Sequence, residues 1–368
     1  MVNITTCENQ PNIGRGGTMK KFMLCSLALV AALLVAGPVM AQMSINGAGA
    51  TFPQPVYAKW AYQYNKDKGV KVNYQGIGSG GGIAQIKAKT VDFGGTDAPL
   101  KADELKKLGI YQFPTLMGGV VPVVHVAGIG AGQLVLDGPT LAKIFLGDIS
   151  KWNDAAIKKL NPKAKLPNKD ITVVHRSDGS GTTFIFSSYL AAVSPEFKSK
   201  VGAGKSLKWP AKNSVGAKGN PGVAGQVQNI DGSIGYVEYA YASQNKIPAA
   251  DMINKAGKVV KPSLESFGSA AASADWKSAP YGYGIMLLNE PGAKSWPIVG
   301  ATFIMIHKDQ PDAAKGKAVL DFFAWAFKNG AGIAKELDYV ALPDNVVKMV
   351  EADWAKEITS GGKPVWKK

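Results

Sequence analysis

Four glycine-rich segments concentrate hydrogen-bond donors while carrying little charge. They are Gly47-Ala48-Gly49-Ala50-Thr51-Phe52-Pro53, Gly76-Ile77-Gly78-Ser79-Gly80-Gly81-Gly82, Asp92-Phe93-Gly94-Gly95-Thr96-Asp97-Ala98-Pro99 and Arg176-Ser177-Asp178-Gly179-Ser180-Gly181-Thr182-Thr183. Glycine lets a backbone approach a ligand closely, and serine and threonine add hydroxyl donors. Three of the four lead into segments with helical patterning. A helix N-terminus offers unpaired N–H groups and a partial positive charge, so several converging on one point would hold an oxyanion with few formal charges. Thr51 reads as a cap for the first of these helices, with Pro53 or Pro55 in its first turn. Arg176 heads the fourth segment. Without Arg15, Lys20 and Lys21 of the leader described below, 39 of the 42 basic residues remain, and Arg176 is the one arginine among them. Lysine cannot replace arginine where a planar fork must grip at two points. Placed at the end of a strand and the head of a donor-rich loop, Arg176 points to function. Asp178 either braces it or caps the helix that follows. Each loop alone is also ordinary turn and cap chemistry; the weight lies in the four together.

Other chemistries fit less well. Gly76, Gly78 and Gly81 match a dinucleotide fingerprint, with Asp97 about twenty residues later, so a dinucleotide fold is a rival. Against it, an exported protein rarely meets such cofactors, and four donor-rich loops exceed what one pyrophosphate requires. The three histidines, His125, His175 and His307, show no metal-ligand spacing. There is no Gly-x-Ser-x-Gly elbow and no Gly-x-x-x-x-Gly-Lys-Ser/Thr loop. A hydrolase built on Ser180 and Asp178 has no histidine placed as its base, because His175 would face away from Arg176 on a continuing strand. No cofactor and no metal are expected.

The elements that must position these loops follow from patterning. Strands are expected over 70–74, 120–126, 171–174, 234–237 and 303–306, and helices over 83–89, 141–146, 182–192 and 313–329. This alternation predicts an α/β fold with largely parallel sheets. The Gly-, Lys- and Asn-rich stretch 202–225 reads as a long surface loop. Two extended segments beside Gly or Pro, 118–124 and 296–302, are placed to cross between two lobes with a cleft between them. Cutting there gives lobe I as 42–121 plus 299–368 and lobe II as 122–298.

At the N-terminus, Met19-Lys20-Lys21, an apolar run from Phe22 to Ala36 and Gly37-Pro38-Val39-Met40-Ala41 read as a cleaved export signal, cut after Ala41. Residues before Met19 read as an upstream extension. A retained membrane anchor is the alternative, but the apolar run is short and ends at Gly-Pro. Cleavage removes Cys7 and Cys25, so a disulfide-free exported domain is expected, which suits a periplasm. The net charge of +15 falls to +13 once Arg15, Lys20, Lys21 and Glu8 are gone. Scattered lysine with almost no arginine does not suit nucleic-acid recognition, so none is expected. A small anionic ligand fits better.

Six ordered motifs carry a family resemblance. They are Gly47–Pro53, Gly78-Ser79-Gly80-Gly81-Gly82, Asp92–Asp97, Arg176–Thr182, Gly235-Tyr236-Val237-Glu238-Tyr239-Ala240 and Leu337-Asp338-Tyr339-Val340-Ala341-Leu342-Pro343. Over residues 44–368 the chain resembles the periplasmic phosphate-binding proteins of the high-affinity phosphate ABC transporter. The resemblance implies a two-lobed type II periplasmic binding fold with a two-segment hinge that closes on one phosphate. It implies binding by Thr51 and Phe52, by Ser79, by Asp97, and by Arg176, Ser180, Gly181 and Thr182, with Asp178 orienting Arg176. It also implies an inner-membrane permease as partner and no catalysis; a receptor that opens and docks is most simply a monomer. Gly80 departs from members that carry a second serine there.

Asp97 is the most informative of these residues. An ionised carboxylate is acceptor-only, so it can pair only with an oxyanion that still carries a proton. Hydrogen phosphate has that proton at neutral pH and sulfate does not, so the residue would penalise the competitor. Another oxyanion, such as sulfate or molybdate, an exported phosphoester hydrolase using the Ser180 loop, and an adhesive role for the surface lysines stand as alternatives.

Overall fold

The computed structural model describes residues 42–367. The upstream extension and leader expected over 1–41 lie outside the described residues, as do Cys7 and Cys25.

Eight strands form the continuous path of a ten-stranded main sheet: β1 (Ser44–Gly49), β2 (Lys71–Gly76), β3 (Phe93–Thr96), β4 (Ile110–His125), β5 (Thr172–Arg176), β6 (Ser214–Ala217), β7 (Ser233–Glu238) and β8 (Ile298–His307). Their order is β2-β1-β3-β8-β4-β7-β5-β6. The outer trios, β2-β1-β3 and β7-β5-β6, are parallel. Between them β8 runs antiparallel to β3 and β4, and β4 antiparallel to β7. The expected parallel sheet is thus present in each half and absent at the centre. Within the sheet β4 and β8 link the halves, and their long-range pairing has no local sequence signal. Strand β4 extends well beyond the expected 120–126, because Pro114, Gly118 and Gly119 interrupt its apolar pattern. Over Ile110–Gly119 it pairs with β8, and from Val120 onward with β7.

The principal helices are α1 (Gln54–Lys68), α2 (Ser79–Lys87), α3 (Gly138–Leu146), α4 (Gly181–Val193), α5 (Gly219–Asn229), α6 (Ala313–Asn329) and α7 (Asp344–Glu357). Helix α6 matches its expected bounds. Asp312 accepts from the Ala314 and Lys315 N–H groups, and Val319, Leu320, Phe322, Phe323 and Ala326 form a buried face. The stretch expected to be a loop over 202–225 instead holds β6 and the start of α5. Helix α5 contains Gly219, Pro221, Gly222 and Gly225, all poor helix formers, so its sequence conceals it. It forms because Val223, Ala224 and Val227 are buried against the sheet, a tertiary contribution that composition does not show.

Aromatic side chains fill both halves. Phe113 lies edge-on to Phe323 and Trp354, and Tyr64 to Phe322. In the other half Phe186 stacks on Tyr236 with ring centroids 4.3 Å apart, and Phe145 meets both. Where the halves join, small residues admit large ones. The Trp296 indole N–H donates to the Val120 carbonyl at 2.9 Å. A Cβ on Gly119 would overlap the Phe267 ring. Replacing Gly119 with Val therefore destabilises by about 1–3 kcal/mol or more, through overpacking at the junction. Equilibrium denaturant unfolding should show the loss; wild-type stability would mean that Phe267 moves aside freely.

Candidate functional site

The four donor-rich loops meet where the halves of the sheet join. Thr51 and Phe52 lie between β1 and α1, Ser79 opens α2, Asp97 follows β3, and Arg176 to Thr182 lead from β5 into α4. Thr51, Phe52, Ser79, Asp97, Arg176, Ser180 and Thr182 are all buried. The chain reaches across between halves at several points. The Gly181 N–H donates to Ser79 Oγ at 3.1 Å, as does the Asp97 N–H. The Gly80 N–H donates to the Gly179 carbonyl at 2.7 Å. A Cβ on Gly181 would stand 2.5 Å from both Asp97 Oδ2 and Ser79 Oγ, so only glycine fits between them.

Arg176 is gripped at two points. Its Nε donates to Asp178 Oδ1 at 2.7 Å and its Nη2 to Asp178 Oδ2 at 2.5 Å. Asp178 therefore braces Arg176, and Ser180 is the residue that caps α4, accepting from the Thr183 N–H at 2.9 Å. Asp178 Oδ1 also accepts from the Gly219 N–H at the start of α5. Burial alone would raise the Asp178 pKa, but the hydrogen bond and charge of Arg176 outweigh it and hold the carboxyl below its ordinary range. Arg176 Nη1 is buried and has no hydrogen-bond partner. A donor on a fully buried guanidinium is costly to leave unmet, and its other edge is already committed to Asp178.

Asp97 has the opposite surroundings. Burial pushes its pKa from 3.8 up to about 7, against the opposing effects of the Thr302 hydroxyl, the Arg176 charge and Ser79. Thr302, on β8, donates to Asp97 Oδ1 at 2.8 Å.

Sequence reasoning missed a second layer behind these residues. Thr51 does not cap α1; its Oγ1 accepts from the Asn220 N–H and side-chain amide. The Thr51 carbonyl accepts from the Tyr241 hydroxyl at 2.5 Å. The Tyr339 hydroxyl lies 2.6 Å from both the Phe52 carbonyl and Glu238 Oε2. One hydroxyl has one proton, so if Tyr339 donates to the carbonyl, Glu238 must donate to Tyr339. A protonated Glu238 agrees with its burial, which raises its pKa well above 4.5. Glu238 and Tyr339 sit inside two of the six quoted motifs, a signal that marks them without saying what they do. His175 stacks on Trp209 and places its Nδ1 3.0 Å from the Arg176 carbonyl, as expected of a structural histidine.

A family model described as the PBP superfamily domain matches residues 35–326. The phosphate-binding protein PstS of Pasteurella multocida is 56% identical over 324 residues, covering 88% of this chain and 93% of that protein. The chain belongs to the PBP superfamily, in its phosphate-binding protein family. Members of the same name from Xylella fastidiosa and Haemophilus influenzae are 56% and 52% identical, each over 86% of this chain. The family's fold also matches solved structures. A high-affinity periplasmic phosphate-binding protein, PfluDING, solved with bound phosphate, has a TM-score of 0.71 at 22% identity, covering 87% of this chain and 96% of that one. The phosphate-binding protein of Stenotrophomonas maltophilia has a TM-score of 0.64 at 19% identity, over 88% and 97% of the two chains. The α/β, two-lobed architecture expected from the sequence is that of this family.

The raised pKa of Asp97 has a consequence for stability. Between pH 3.8, its ordinary value, and about 7, the folded chain holds a proton that the unfolded chain releases, so stability falls as pH rises through that window. Asp97→Asn removes this loss while keeping an acceptor for Thr302. In anion-stripped protein, the drop in unfolding free energy from pH 4 to pH 8 should be smaller in the variant by up to about 4 kcal/mol. Equal pH slopes in wild type and variant would refute the burial argument.

Proposed function

We propose that the chain binds inorganic phosphate between its two lobes in the periplasm and delivers it to the permease of an ABC transporter for high-affinity uptake. The relatives' names and the phosphate-bound neighbour support this reading. The observation that carries it is a buried carboxylate, Asp97, near enough to Arg176 to feel its charge, together with a buried Arg176 Nη1 whose N–H groups have no partner. The ligand-binding set is Thr51, Phe52, Ser79, Asp97, Arg176, Ser180, Gly181 and Thr182, with Asp178 as the brace. An anion held by many donors and one acceptor is an oxyanion carrying a proton, which describes hydrogen phosphate.

Lobe I comprises 42–121 plus 299–368, and lobe II 122–298. The change of β4 from β8 to β7 between Gly119 and Val120 supports the first cut, and the start of β8 at Ile298 the second. Contacts from both lobes favour the closed state, so ligand binding shifts that equilibrium and the permease reads it. The protein works as a monomer, without nucleic acid, and performs no reaction. The Ser180 hydroxyl serves as a helix cap, and His175 turns to Trp209 and the Arg176 carbonyl. Export of residues 42–368 follows cleavage of the leader. Among the described residues no helix is long and apolar enough to cross a membrane.

Calorimetric titration of anion-stripped 42–368 at pH 8 should give tight one-to-one phosphate binding and no sulfate signal. Comparable sulfate binding would overturn the reading. Asp97→Asn should bind sulfate measurably, because the amide can donate where the carboxylate only accepts. Wild-type rejection of sulfate should itself weaken below about pH 7, where Asp97 gains a proton to donate. Arg176→Lys should weaken phosphate at least about tenfold, since the ammonium cannot hold Asp178 at two points and still face the anion.

A further inference from the structure

Asn220 is fully buried in the first turn of α5, inside the stretch whose composition reads as loop. Its backbone N–H and both ends of its side-chain amide are engaged. Its backbone N–H donates to Thr51 Oγ1 at 3.1 Å. Its side-chain Nδ2 donates to Thr51 Oγ1 at 2.9 Å and to Thr182 Oγ1 at 3.1 Å. Its Oδ1 accepts from the Glu238 N–H at 3.0 Å. That last bond fixes which end of the amide is which, since an amide nitrogen facing a backbone N–H would set donor against donor.

A threonine hydroxyl has one proton and two acceptor positions. On Thr51 both acceptor positions are filled by Asn220, so the proton must point away from it. On Thr182 one acceptor position is filled in the same way. Thr51 comes from the segment before α1 and Thr182 from α4, so one amide governs hydroxyls from both sides of the junction. With its donors and acceptor all used, Asn220 has nothing left to offer a ligand.

We infer that Asn220 is a positioning residue that forces the Thr51 hydroxyl, and biases the Thr182 hydroxyl, to act as a donor toward the bound anion. The inference rests on the phosphate reading, and it adds a residue that acts on the ligand only through two others. Its chemical content is polarity. A hydroxyl free to rotate can present a lone pair to an oxyanion, which repels it; one whose two lone pairs are taken by Asn220, as on Thr51, has only its proton to present, and one with a single lone pair taken, as on Thr182, has fewer ways to present the other.

The test is phosphate titration of the 42–368 chain and its variants at pH 8, with thermal unfolding to confirm that each is folded. Asn220→Ala should weaken phosphate about tenfold, the effect of losing oriented neutral hydrogen bonds. Asn220→Asp keeps the acceptor for the Glu238 N–H but offers the threonines only acceptors. It should weaken binding by about a hundredfold or more. A double-mutant cycle separates orientation from packing. In a Thr51→Val, Thr182→Val background no hydroxyl remains to be oriented, so Asn220→Ala should cost less than about twofold further. An undiminished tenfold cost in that background would assign Asn220 to packing and overturn the inference. So would Asn220→Asp binding phosphate within about threefold of wild type. Wild type that fails to bind phosphate would instead overturn the ligand reading itself, and the inference with it.

Discussion

A hydroxyl oxygen has one proton to give and two lone pairs to fill, and the centre of this molecule is organised around that inequality. Backbone and amide N–H groups occupy both lone pairs of Ser79 and Thr51 and one each of Thr182 and Ser180. Each of these bonds settles part of the fold: a helix cap at Ser180, a bridge from Gly181 to Ser79, a tie from α5 to the segment before α1. Each also leaves a proton pointed elsewhere. The stabilising network and the donor array are therefore one set of bonds seen from its two ends. Hydroxyls so constrained lose little orientational freedom when they meet a ligand, which is the physical content of preorganisation.

The same small region treats three carboxyl groups in three ways. Asp178 is partly exposed and locked to Arg176, so it stays ionised. Asp97 is buried with partial compensation and titrates near neutrality. Glu238 is buried deeper still, with Oε1 unpartnered and Oε2 against Tyr339 and the Ala240 N–H, and burial pushes its pKa well above the ordinary carboxyl value. Burial raises all three, and what differs is the charge and hydrogen bonding that oppose it. The net charge of the chain plays no part in this ordering. It sets how anions are drawn to the surface and leaves their recognition to the buried groups.

Much of this was legible from residue types. The donor loops, Arg176 at the head of one of them and the cap-bounded helix Ala313–Asn329 are local patterns, and local patterns survive folding. Two features were hidden for physical reasons. Strands β4 and β8 are antiparallel to their neighbours because of partners more than a hundred residues away in chain order. Helix α5 carries three glycines and a proline, and is helical only because its apolar residues and Asn220 are held by other elements. Thr51 was misread for the same reason. It has the chemistry of a helix cap, but a distant amide claims its oxygen. Family motifs flagged Glu238 and Tyr339, but their role emerges only from a shared proton between two distant segments.

The lips of the cleft meet as Gly80 against Gly179, joined by a backbone hydrogen bond and so close that a Cβ on either would stand 3.0 Å from the other's Cα. Contact between two bare backbones leaves no room at that point for an organic substituent to pass. An anion carrying such an arm would wedge the lips apart and break the bond between them. Any selection by size at this seam would rest on main chain, where side-chain variation cannot easily relax it. On the phosphate reading, such a seam would favour the bare tetrahedral ion over its larger derivatives.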